Sequence, residues 1–594
     1  MTNNNPSAIF DEYQKGRDYK DSLGQRGIAE QTKMNERFYV GDQWHGVQAG
    51  NTRPLVRRNI IKRIGEYKIS ALCAAPIAVN YSADGVPDTE EMREEEKAYA
   101  EQMTAEGFTP PPVASDVEIN VVMQTLTEYF KVTSERLKFN ELSEEWVKSA
   151  YIGGSAFLYT YWDANIETGL FADKAKKTAI KGDIKCEVLS VVNVVLGEPN
   201  NADIQSQPYI IISQRLPLEK VKEEAKLNKV KADDISTDSN AADYAAGDWG
   251  ESEPEENNRV TVLTKFWKEA DEKTGDIRIK AIRVTEKHVI REEWDLNLKL
   301  YPFAKFSWMS RFASGYGDSE ITYLIPNQIA INRAHSATVW NVMLSGIPKM
   351  VVNRDLVHDK VTNEPGQVIN LAAGGDYDVQ RALAYVQPPQ FASQLQNVIN
   401  DIAQSTLSDS GANEAALGDI RPDNASAIIA MREAALQPMQ MYQNRFYSAV
   451  EEAARIWADF WTSNYGERPL KVVDKQGTHY VPFDADRYKN LVIVAKVDVG
   501  ASTLWGESVV VASLGNLLQA QIITPLQYLE RLPKGTIPDI TGLIEEMQQQ
   551  TQAQASEEQD IIATLAQQNP ELYAQYKQMS PAEQKAMLEQ IGGV

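Results

Sequence analysis

Cysteine and long apolar runs are scarce in this 594-residue chain. Its two cysteines, Cys73 and Cys186, lie far apart and outside any Cys-x-x-Cys pattern, so we expect neither a disulfide framework nor a structural zinc site. No apolar run reaches the length of a membrane helix, and the segment from Met1 to Tyr39 is polar and charged, unlike a secretory signal. We therefore expect no membrane span and a protein that stays in the cytoplasm in which it is made.

The motifs of common catalytic sites are also absent. The sequence has no GxxxxGK(S/T) phosphate loop, no HExxH and no G-x-S-x-G, and its five histidines are scattered singly. Ser314 to Glu320 is a glycine-rich turn, but it lacks the third glycine of a dinucleotide site and is better interpreted as a flexible entry to a helix. Asp376 and Asp378 offer a carboxylate pair for a metal in principle, although the preceding Gly374 and Gly375 favour a solvent loop. The sequence predicts a protein that is not an enzyme and that holds no metal or cofactor.

The chain is strongly acidic, with 60 basic and 83 acidic residues and a formal net charge of −23. This argues against a protein that grips nucleic acid by neutralising phosphates. It leaves open a protein that DNA slides past, and equally a surface whose charge only serves solubility. Residues 229–260 concentrate nine acidic groups among few large apolar side chains, which predicts an exposed loop. A basic stretch is interpreted either as a contact to DNA or a neighbouring subunit or as a solvated helix face; it comprises Arg53, Arg57, Arg58, Lys62 and Arg63.

Hydrophobic periodicity predicts an α+β arrangement in the first half of the chain. The first 84 residues read as helical with a loop, and a helical pattern runs from Val121 to Tyr151 until Gly153 and Gly154 break it. Another helix is predicted at Leu218–Leu227. Strand patterns alternate with these helices at 156–161, 184–196, 209–214, 260–268, 277–285 and 287–294.

The second half is predicted to be mainly helical. One helix runs from Pro326, at its first position, to Ser345, which corresponds to a rod of roughly 30 Å. A second helix runs from Gln390 to Leu407. The residues between them carry short strand patterns at Lys349–Val352 and Gln367–Leu371, so the two helices are predicted to form a hairpin with a small cap.

A segment rich in small residues, Ser408 to Ala425, follows the hairpin with a net charge of −3. The pattern after it predicts one long helix to Trp461 that is kinked at Pro438. Strands resume at 470–473 and 491–499, and helices predominate from Leu514. Residues 547–594 are interpreted either as a frayed tail or as a helical ring that neighbouring subunits stabilise.

This order of parts resembles the portal, or head-to-tail connector, proteins of tailed bacteriophages. Three segments carry the resemblance: Phe38 to Trp44 with Arg57-Arg58-Asn59, Gly317 to Glu320 leading to Pro326-Asn327-Gln328 and Ile331-Asn332, and Asn424 to Ile428. Length and the long carboxy-terminal extension are closer to the short-tailed phage type. The resemblance implies an elongated, mainly helical α+β subunit with an α/β wing at 1–316, a first stem helix at 317–346, a clip at 347–388, a second stem helix at 389–407, a channel loop at 408–425, a long kinked helix at 426–462, a return to the wing at 463–513 and a helical crown at 514–594.

The resemblance also implies a function. It implies a ring, usually of twelve subunits, at one vertex of the capsid, through which double-stranded DNA is packaged and later ejected. The implied partners are the terminase large subunit, a head-tail adaptor or tail proteins, and the major capsid and scaffolding proteins. The implied location is the virion, with the host cytoplasm during assembly. The alternative is another head-tail ring component, such as an adaptor.

Candidate site residues follow from the same resemblance. The channel loop is expected to line the narrowest part of the ring, with Arg421 as a transient phosphate contact; its candidate residues are Asp409, Gly411, Asn413, Glu414, Gly418, Asp419, Arg421 and Asp423. Partner contact in the clip is assigned to four basic residues, which are equally consistent with a solvated loop; they are Lys349, Arg354, His358 and Lys360.

Overall fold

A computed structural model of the chain describes residues 5–47, 54–74, 77–84, 116–173, 178–231, 234–237, 258–270, 275, 277–346, 349–362, 366–371, 382–386, 393–412, 437–474, 477–488, 491–498, 511, 514–520, 522–532, 542–544 and 547. The chain divides into two compact units, Met1–Asp498 and Val499–Val594. The first unit is an α+β structure that mixes helices with several antiparallel sheets. Within the described residues, no helix is long and apolar enough to cross a membrane.

Three helices open the first unit, and local capping explains where each begins. They are α1 (Pro6–Ser22), α2 (Ile28–Val40) and α3 (Ile60–Cys73). The Asn5 side chain accepts a hydrogen bond from the backbone N–H of Ser7 at the start of α1, and Asn59 accepts one from Lys62 at the start of α3. Helix α2 ends at Gly41, whose φ of 99° lies in the left-handed region that glycine adopts freely.

The helical pattern predicted from Val121 to Tyr151 forms two helices instead of one. They are α4 (Asp116–Leu137) and α5 (Phe139–Gly153). Lys138 separates them with a left-handed φ of 52°, and Gly154 ends the second with a φ of 88°. No glycine, proline or capping residue stands at Lys138, so the sequence contains no local signal for this break.

The two largest antiparallel sheets among the described residues of this unit have three and five strands. The three-stranded sheet has the order β3-β2-β9, and the five-stranded sheet has the order β4-β5-β6-β7-β8. Their strands are β2 (Ser155–Asp173), β3 (Thr178–Ser190), β4 (Val194–Leu196), β5 (Tyr209–Pro217), β6 (Arg259–Ala270), β7 (Ile277–Val284), β8 (Val289–Asp295) and β9 (Phe303–Ser307). Helix α6 (Leu218–Leu227) has the predicted bounds.

Long helices and short ribbons complete the unit. After the two-residue strands β10 (Met309–Ser310) and β11 (Gly317–Asp318) come α7 (Glu320–Gly346), β12 (Lys349–Val352), β13 (Leu383–Val386), α8 (Ser393–Asp409), α9 (Gln440–Asn464), β14 (Glu467–Asp474), β15 (Gly477–Asp484), the short helix α10 (Ala485–Tyr488) and β16 (Val492–Asp498). The second unit contains α11 (Pro525–Arg531), which begins with a capping box between Thr524 and Gln527.

The structure corrects three of the predicted elements. Helix α7 begins at Glu320, so Pro326 lies inside it and removes one backbone hydrogen bond from its second turn. The strand that pairs with β12 is Leu383–Val386, whereas the predicted strand at Gln367–Leu371 makes only an isolated bridge to Val357. Ala78–Asp84, expected to be helical, is strand β1, and it pairs with β16 more than 400 positions later in the chain.

The main core is built around α9 and is rich in aromatic rings. Five residues of the predicted apolar stripe on this helix are buried, and Tyr442 is half-buried; the buried ones are Phe446, Ala449, Ala453, Ile456 and Phe460. Trp457 is fully buried, and its ring lies 5.0 Å from that of Phe130 in α4. Burial of such large side chains is the main favourable contribution to folding, so α9 holds the first helices and the three-stranded sheet together.

Candidate functional site

Helix α7 is anchored at its base by a network of buried amide side chains. Gln328 and Asn332 are four positions apart on the packed side of α7 and are almost completely buried. The Nε2 of Gln328 donates to the Arg58 carbonyl oxygen at 2.6 Å and to Oδ1 of Asn332 at 2.9 Å. The Nδ2 of Asn332 donates to Oε1 of Gln43 at 2.6 Å, across 289 positions of sequence.

The same two amides also accept hydrogen bonds from the backbone. The N–H of Arg58 donates to Oδ1 of Asn332 at 3.1 Å, and the N–H of Ile60 donates to Oε1 of Gln328 at 2.9 Å. Residues 54–59 belong to neither a helix nor a strand, so their backbone groups lack the regular hydrogen bonds of such elements and need other partners. The amides of α7 supply these partners and hold the segment against the helix.

The neighbouring motif, Phe38 to Trp44, joins this network from the other side. Nδ2 of Asn59 donates to the Tyr39 carbonyl oxygen at 2.9 Å, and Nη1 of Arg57 donates to the Gly41 carbonyl oxygen at 2.7 Å. Nε1 of Trp44 donates to the Val56 carbonyl oxygen at 3.2 Å. The structure thus brings together the Phe38 to Trp44 motif, Arg57 to Asn59 and the Gln328 to Asn332 part of α7, which are distant in sequence.

The first turn of α7 has a second, ionic anchor. The Nζ of Lys68 lies 2.6 Å from Oε1 of Glu320, and both side chains are nearly buried. Nε1 of Trp308 donates to the other carboxylate oxygen of Glu320 at 3.1 Å, and the Lys68 ammonium lies 5.4 Å from the centre of the Tyr442 ring. Removing one partner of such a pair leaves an uncompensated buried charge, so this contact ties α3, α7 and α9 firmly to one another.

The turn before α7, predicted to be a flexible entry, is instead firmly bonded. The Ser319 hydroxyl donates to the Tyr151 carbonyl oxygen at 2.6 Å and accepts from the N–H of Ile321. A Cβ on Gly317 would lie 2.6 Å from the Met309 carbonyl oxygen and 2.7 Å from that of Gly154. The glycine is therefore required by close backbone approach and not by flexibility.

The far half of α7 differs from its base. The helix is 27 residues long, roughly 40 Å. Beyond Asn332 none of its side chains is buried, and its exposed residues include Val342 at 64%, Met343 and Leu344. Helix α8 packs beside it, and Nδ2 of Asn327 near the start of α7 donates to Oγ1 of Thr406 near the end of α8 at 3.1 Å.

Comparison with known proteins shows the family of the chain. The family model described as phage SU10 portal protein matches residues 86–590, most of the chain. The chain belongs to this portal family. SU10 is a phage of the short-tailed type, so the predicted family and its lean toward short-tailed phages are both confirmed. No curated protein matches the chain.

Portal membership has consequences at the family level. Portal proteins are structural components that form an oligomeric ring. The ring lies at a capsid vertex of the virion, where it associates with capsid and other phage proteins. Among the residues that the structure describes, no group of three or more histidine, cysteine, aspartate or glutamate side chains is placed to hold a metal ion.

The predicted clip residues of this portal subunit lie around the ribbon of β12 and β13. Lys349 is the first residue of β12, and the other three follow that strand; Lys349, Arg354, His358 and Lys360 are all exposed. Val357, between them, is fully buried and bridges to Leu371. The basic side chains therefore stand on the outside of a small ordered fold.

The predicted channel loop lies mostly outside the described residues. Asp409 is the exposed last residue of α8, and Gly411 follows it with a left-handed φ of 76°. A Cβ on Gly411 would lie 3.4 Å from Cβ of Pro438, so these two residues, which flank most of the predicted loop, lie close together. The other candidates are not described; they are Asn413, Glu414, Gly418, Asp419, Arg421 and Asp423.

The predicted kink at Pro438 and the acidic loop at 229–260 are only partly described. Pro438 lies in a 3-10 turn, Gln437–Met439, immediately before α9. The preceding residues 413–436 are outside the described part, so the kink stays a prediction. The same holds for the acidic loop, of which residues 238–257 are not described.

The basic stretch meets the base of α7. Arg57, Arg58, Lys62 and Arg63 are exposed, whereas Arg53 lies outside the described residues. Burial and then the nearby Arg58 guanidinium lower the pKa of His335 in α7, so this histidine is neutral at neutral pH. The positive charge here comes from the arginines and lysines, and contact to DNA or to a neighbouring subunit both remain hypotheses.

The two anchors of α7 differ in whether the sequence contains a signal for them. Gln328 and Asn332 stand four apart among apolar residues of one helix, and this spacing of two amides on a packed face is a usable signal. The Lys68 and Glu320 pair was missed. Nothing local distinguishes these two residues from exposed charges, because burial is decided by the distant helix that covers them.

We predict that Gln328→Met destabilises the protein. Methionine fills a similar volume but leaves the Arg58 carbonyl oxygen and the Ile60 N–H without their partner, which costs about 1–3 kcal/mol in the free energy of unfolding. Urea unfolding followed by far-UV circular dichroism measures the change. Arg333→Met, at an exposed position of the same helix, is the control. Equal unfolding midpoints for Gln328→Met and wild type would contradict the anchoring role.

Proposed function

We propose that this chain is the subunit of a portal ring of twelve copies through which double-stranded DNA enters the procapsid and later leaves the virion. The observation that carries the proposal is α7, a helix fixed at its base whose far half exposes apolar side chains. A helix of this kind is stable in water when neighbouring helices cover its apolar residues. In a ring, the neighbours are the same helices of adjacent copies.

In this proposal the parts have the roles that the resemblance implies. Residues 317–346 and 389–407 form the stem, 347–388 the clip, 408–425 the channel loop and 426–462 the long helix, while 1–316 and 463–513 form the wing and 514–594 the crown. The pairing of β1 with β16 supports a wing built from both halves of the chain. The contact between Gly411 and Pro438 supports a loop that projects between the stem and α9.

Charge supports a channel that does not hold DNA. Each copy carries a formal charge of −23, and a ring of twelve multiplies it. An acidic channel repels phosphates, so DNA slides instead of binding tightly. In this proposal, Arg421 makes a transient phosphate contact within an otherwise acidic loop.

The clip is proposed to dock the terminase large subunit during packaging and the head-tail adaptor afterwards, while major capsid and scaffolding proteins contact the wing during assembly in the host cytoplasm. The ribbon of β12 and β13 has two strands, which is marginal in isolation, and it exposes Tyr385 at 65% and Val351. Both properties support a ribbon whose exposed side chains are covered when a partner protein binds.

The ring is tested by Val342→Asp. The purified wild type is expected to give particles of about twelve times 66.4 kDa with a central hole in negative-stain images. A carboxylate on the apolar side of α7 should raise the concentration needed for half-assembly at least tenfold, about 1.4 kcal/mol per subunit contact. Native mass spectrometry measures the ring fraction. Ser345→Asp, on the same exposed segment, is the matched control, and a monomeric wild type would refute the proposal.

The channel loop is tested by deleting residues 413–420. Because the ends of the segment meet at Gly411 and Pro438, a short loop still closes, and rings should form normally. DNase-protected DNA in particles complemented with the variant should fall severalfold. The control deletes the same number of residues, 241–248, from within the acidic segment 229–260. Loss of rings, with or without DNA, would reject the assignment of a channel loop.

The clip is tested by the pair Arg354→Glu and Lys360→Glu. Reversing two exposed charges at a docking surface should weaken binding of terminase large subunit by about tenfold or more, with stronger loss at low salt. Pulldown with rings of the variant measures this binding. The matched control reverses Lys220 and Lys226, which are exposed on α6. Unchanged binding would show that these basic residues are only a solvated surface.

A further inference from the structure

The turn between β10 and β11 presents a phenylalanine entirely to water. Phe312 is fully exposed, more so than any other large apolar side chain in the described residues. Its neighbour Ala313 has a φ of 45°, in the left-handed region that residues other than glycine rarely adopt. A single exposed apolar residue is ordinary by itself, so the meaning of Phe312 depends on how the turn is held.

The turn is held rigidly by contacts to the five-stranded sheet and its neighbouring segments. The N–H of Gly315 donates to the Pro199 carbonyl oxygen at 2.7 Å, and Nζ of Lys305 donates to the Gly315 carbonyl oxygen at 3.1 Å. A Cβ on Gly315 would lie 2.5 Å from Cδ1 of Leu196, so the backbone is pressed against the five-stranded sheet. Phe312 is therefore displayed by a fixed support and does not hang from a loose loop.

The sides of the turn are equally fixed. The Nε of Arg311 lies 3.0 Å from Oδ2 of Asp318, and the Tyr323 hydroxyl donates to the same carboxylate oxygen at 3.3 Å. The hydroxyl of Tyr316 accepts from the N–H of Leu196 at 3.0 Å. These contacts connect the turn to the start of α7 and to β4, which are both parts of the rigid core.

A cleft of about 470 Å³ lies beside Phe312. Tyr19 of α1 and Leu23, which directly follows that helix, line one part of it, and Met309 and Tyr323 line another. Aromatic and methionine side chains of this kind are enriched in the buried centres of protein interfaces. The Phe312 side chain protrudes next to a cleft, so this surface could both insert a side chain into a partner and accept one from it.

The charge of this surface favours one kind of occupant. The chain as a whole has a net charge of −23, so two copies repel each other. The lining of the cleft contains one positive and one negative side chain, Arg311 and Asp318, and these neutralise each other. Two acidic copies approach most easily where each surface is neutral and apolar, which favours a second copy of this chain over a basic partner or DNA.

We propose that the Phe312 turn and its cleft form one face of the contact between adjacent subunits, and that an apolar segment of the next copy occupies the cleft. The contact is heterologous, because a ring joins two different faces of identical subunits. This inference rests on the proposed ring, but it concerns the region before α7 and not the stem.

The experiment compares Phe312→Asp, Phe312→Trp and Leu227→Asp. Leu227 is 84% exposed at the end of α6 and is the matched control for placing a carboxylate at an exposed apolar position. Sedimentation velocity and native mass spectrometry of the full-length chain measure the ring fraction over a range of concentrations. Phe312→Asp should raise the concentration for half-assembly at least tenfold, while Phe312→Trp and Leu227→Asp should assemble as the wild type does. Unchanged thermal unfolding of the dissociated subunits would show that folding is intact.

A photo-crosslinking amino acid at position 312 identifies the neighbour in the assembled ring. A product of twice 66.4 kDa, with the crosslink mapped to a second copy, is expected. If the wild type forms rings and Phe312→Asp assembles normally, the inference is overturned and the proposed ring is left intact. Crosslinks only to scaffolding or capsid protein would have the same meaning. A wild type that forms no rings would refute the ring itself, and an equal defect in Leu227→Asp would show a nonspecific effect of charge.

Discussion

The buried amide network at the base of α7 is the contact on which the rest of the arrangement depends. Beyond Asn332 the far half of α7 buries none of its side chains, so the direction of the helix depends on how strongly its near half is held. Gln328 and Asn332 achieve this because they bond backbone groups of Arg58, Ile60 and Ile61, and an unsatisfied group at such a site would be costly. The buried pair of Lys68 and Glu320 fixes the first turn of the same helix.

Assembly has to overcome the charge of the chain. Copies with a formal charge of −23 repel one another at low ionic strength, so the attraction that forms a ring has to come from apolar contacts and from surfaces where charge is locally cancelled. The exposed apolar residues of α7 and the Phe312 turn have this character. In the proposed DNA channel, the same acidity would let DNA move, because it does not hold the phosphates.

Portal membership and much of the secondary structure were predictable from the sequence. Helix α6 and strand β12 have the predicted bounds because their signals are local, a charged amphipathic pattern and a short apolar run. Strand β1 and the break at Lys138 were missed, because one depends on a partner strand more than 400 positions away and the other has no local signal. In the candidate site, the four-residue spacing of Gln328 and Asn332 is a signal that the sequence contains. Nothing in the sequence indicates which backbone groups these two amides bond.

The sequence by itself determined the acidic character of the chain, the order of its helices and the segments that link it to phage portals, since composition and periodicity are properties of neighbouring residues. Only the tertiary structure decided which polar residues are buried and which apolar residues are left exposed. Glu320 is covered by Lys68 and Trp308, whereas Phe312, eight positions earlier, faces water. Burial depends on the distant segment that arrives to cover a side chain, and a chain read residue by residue does not contain that information.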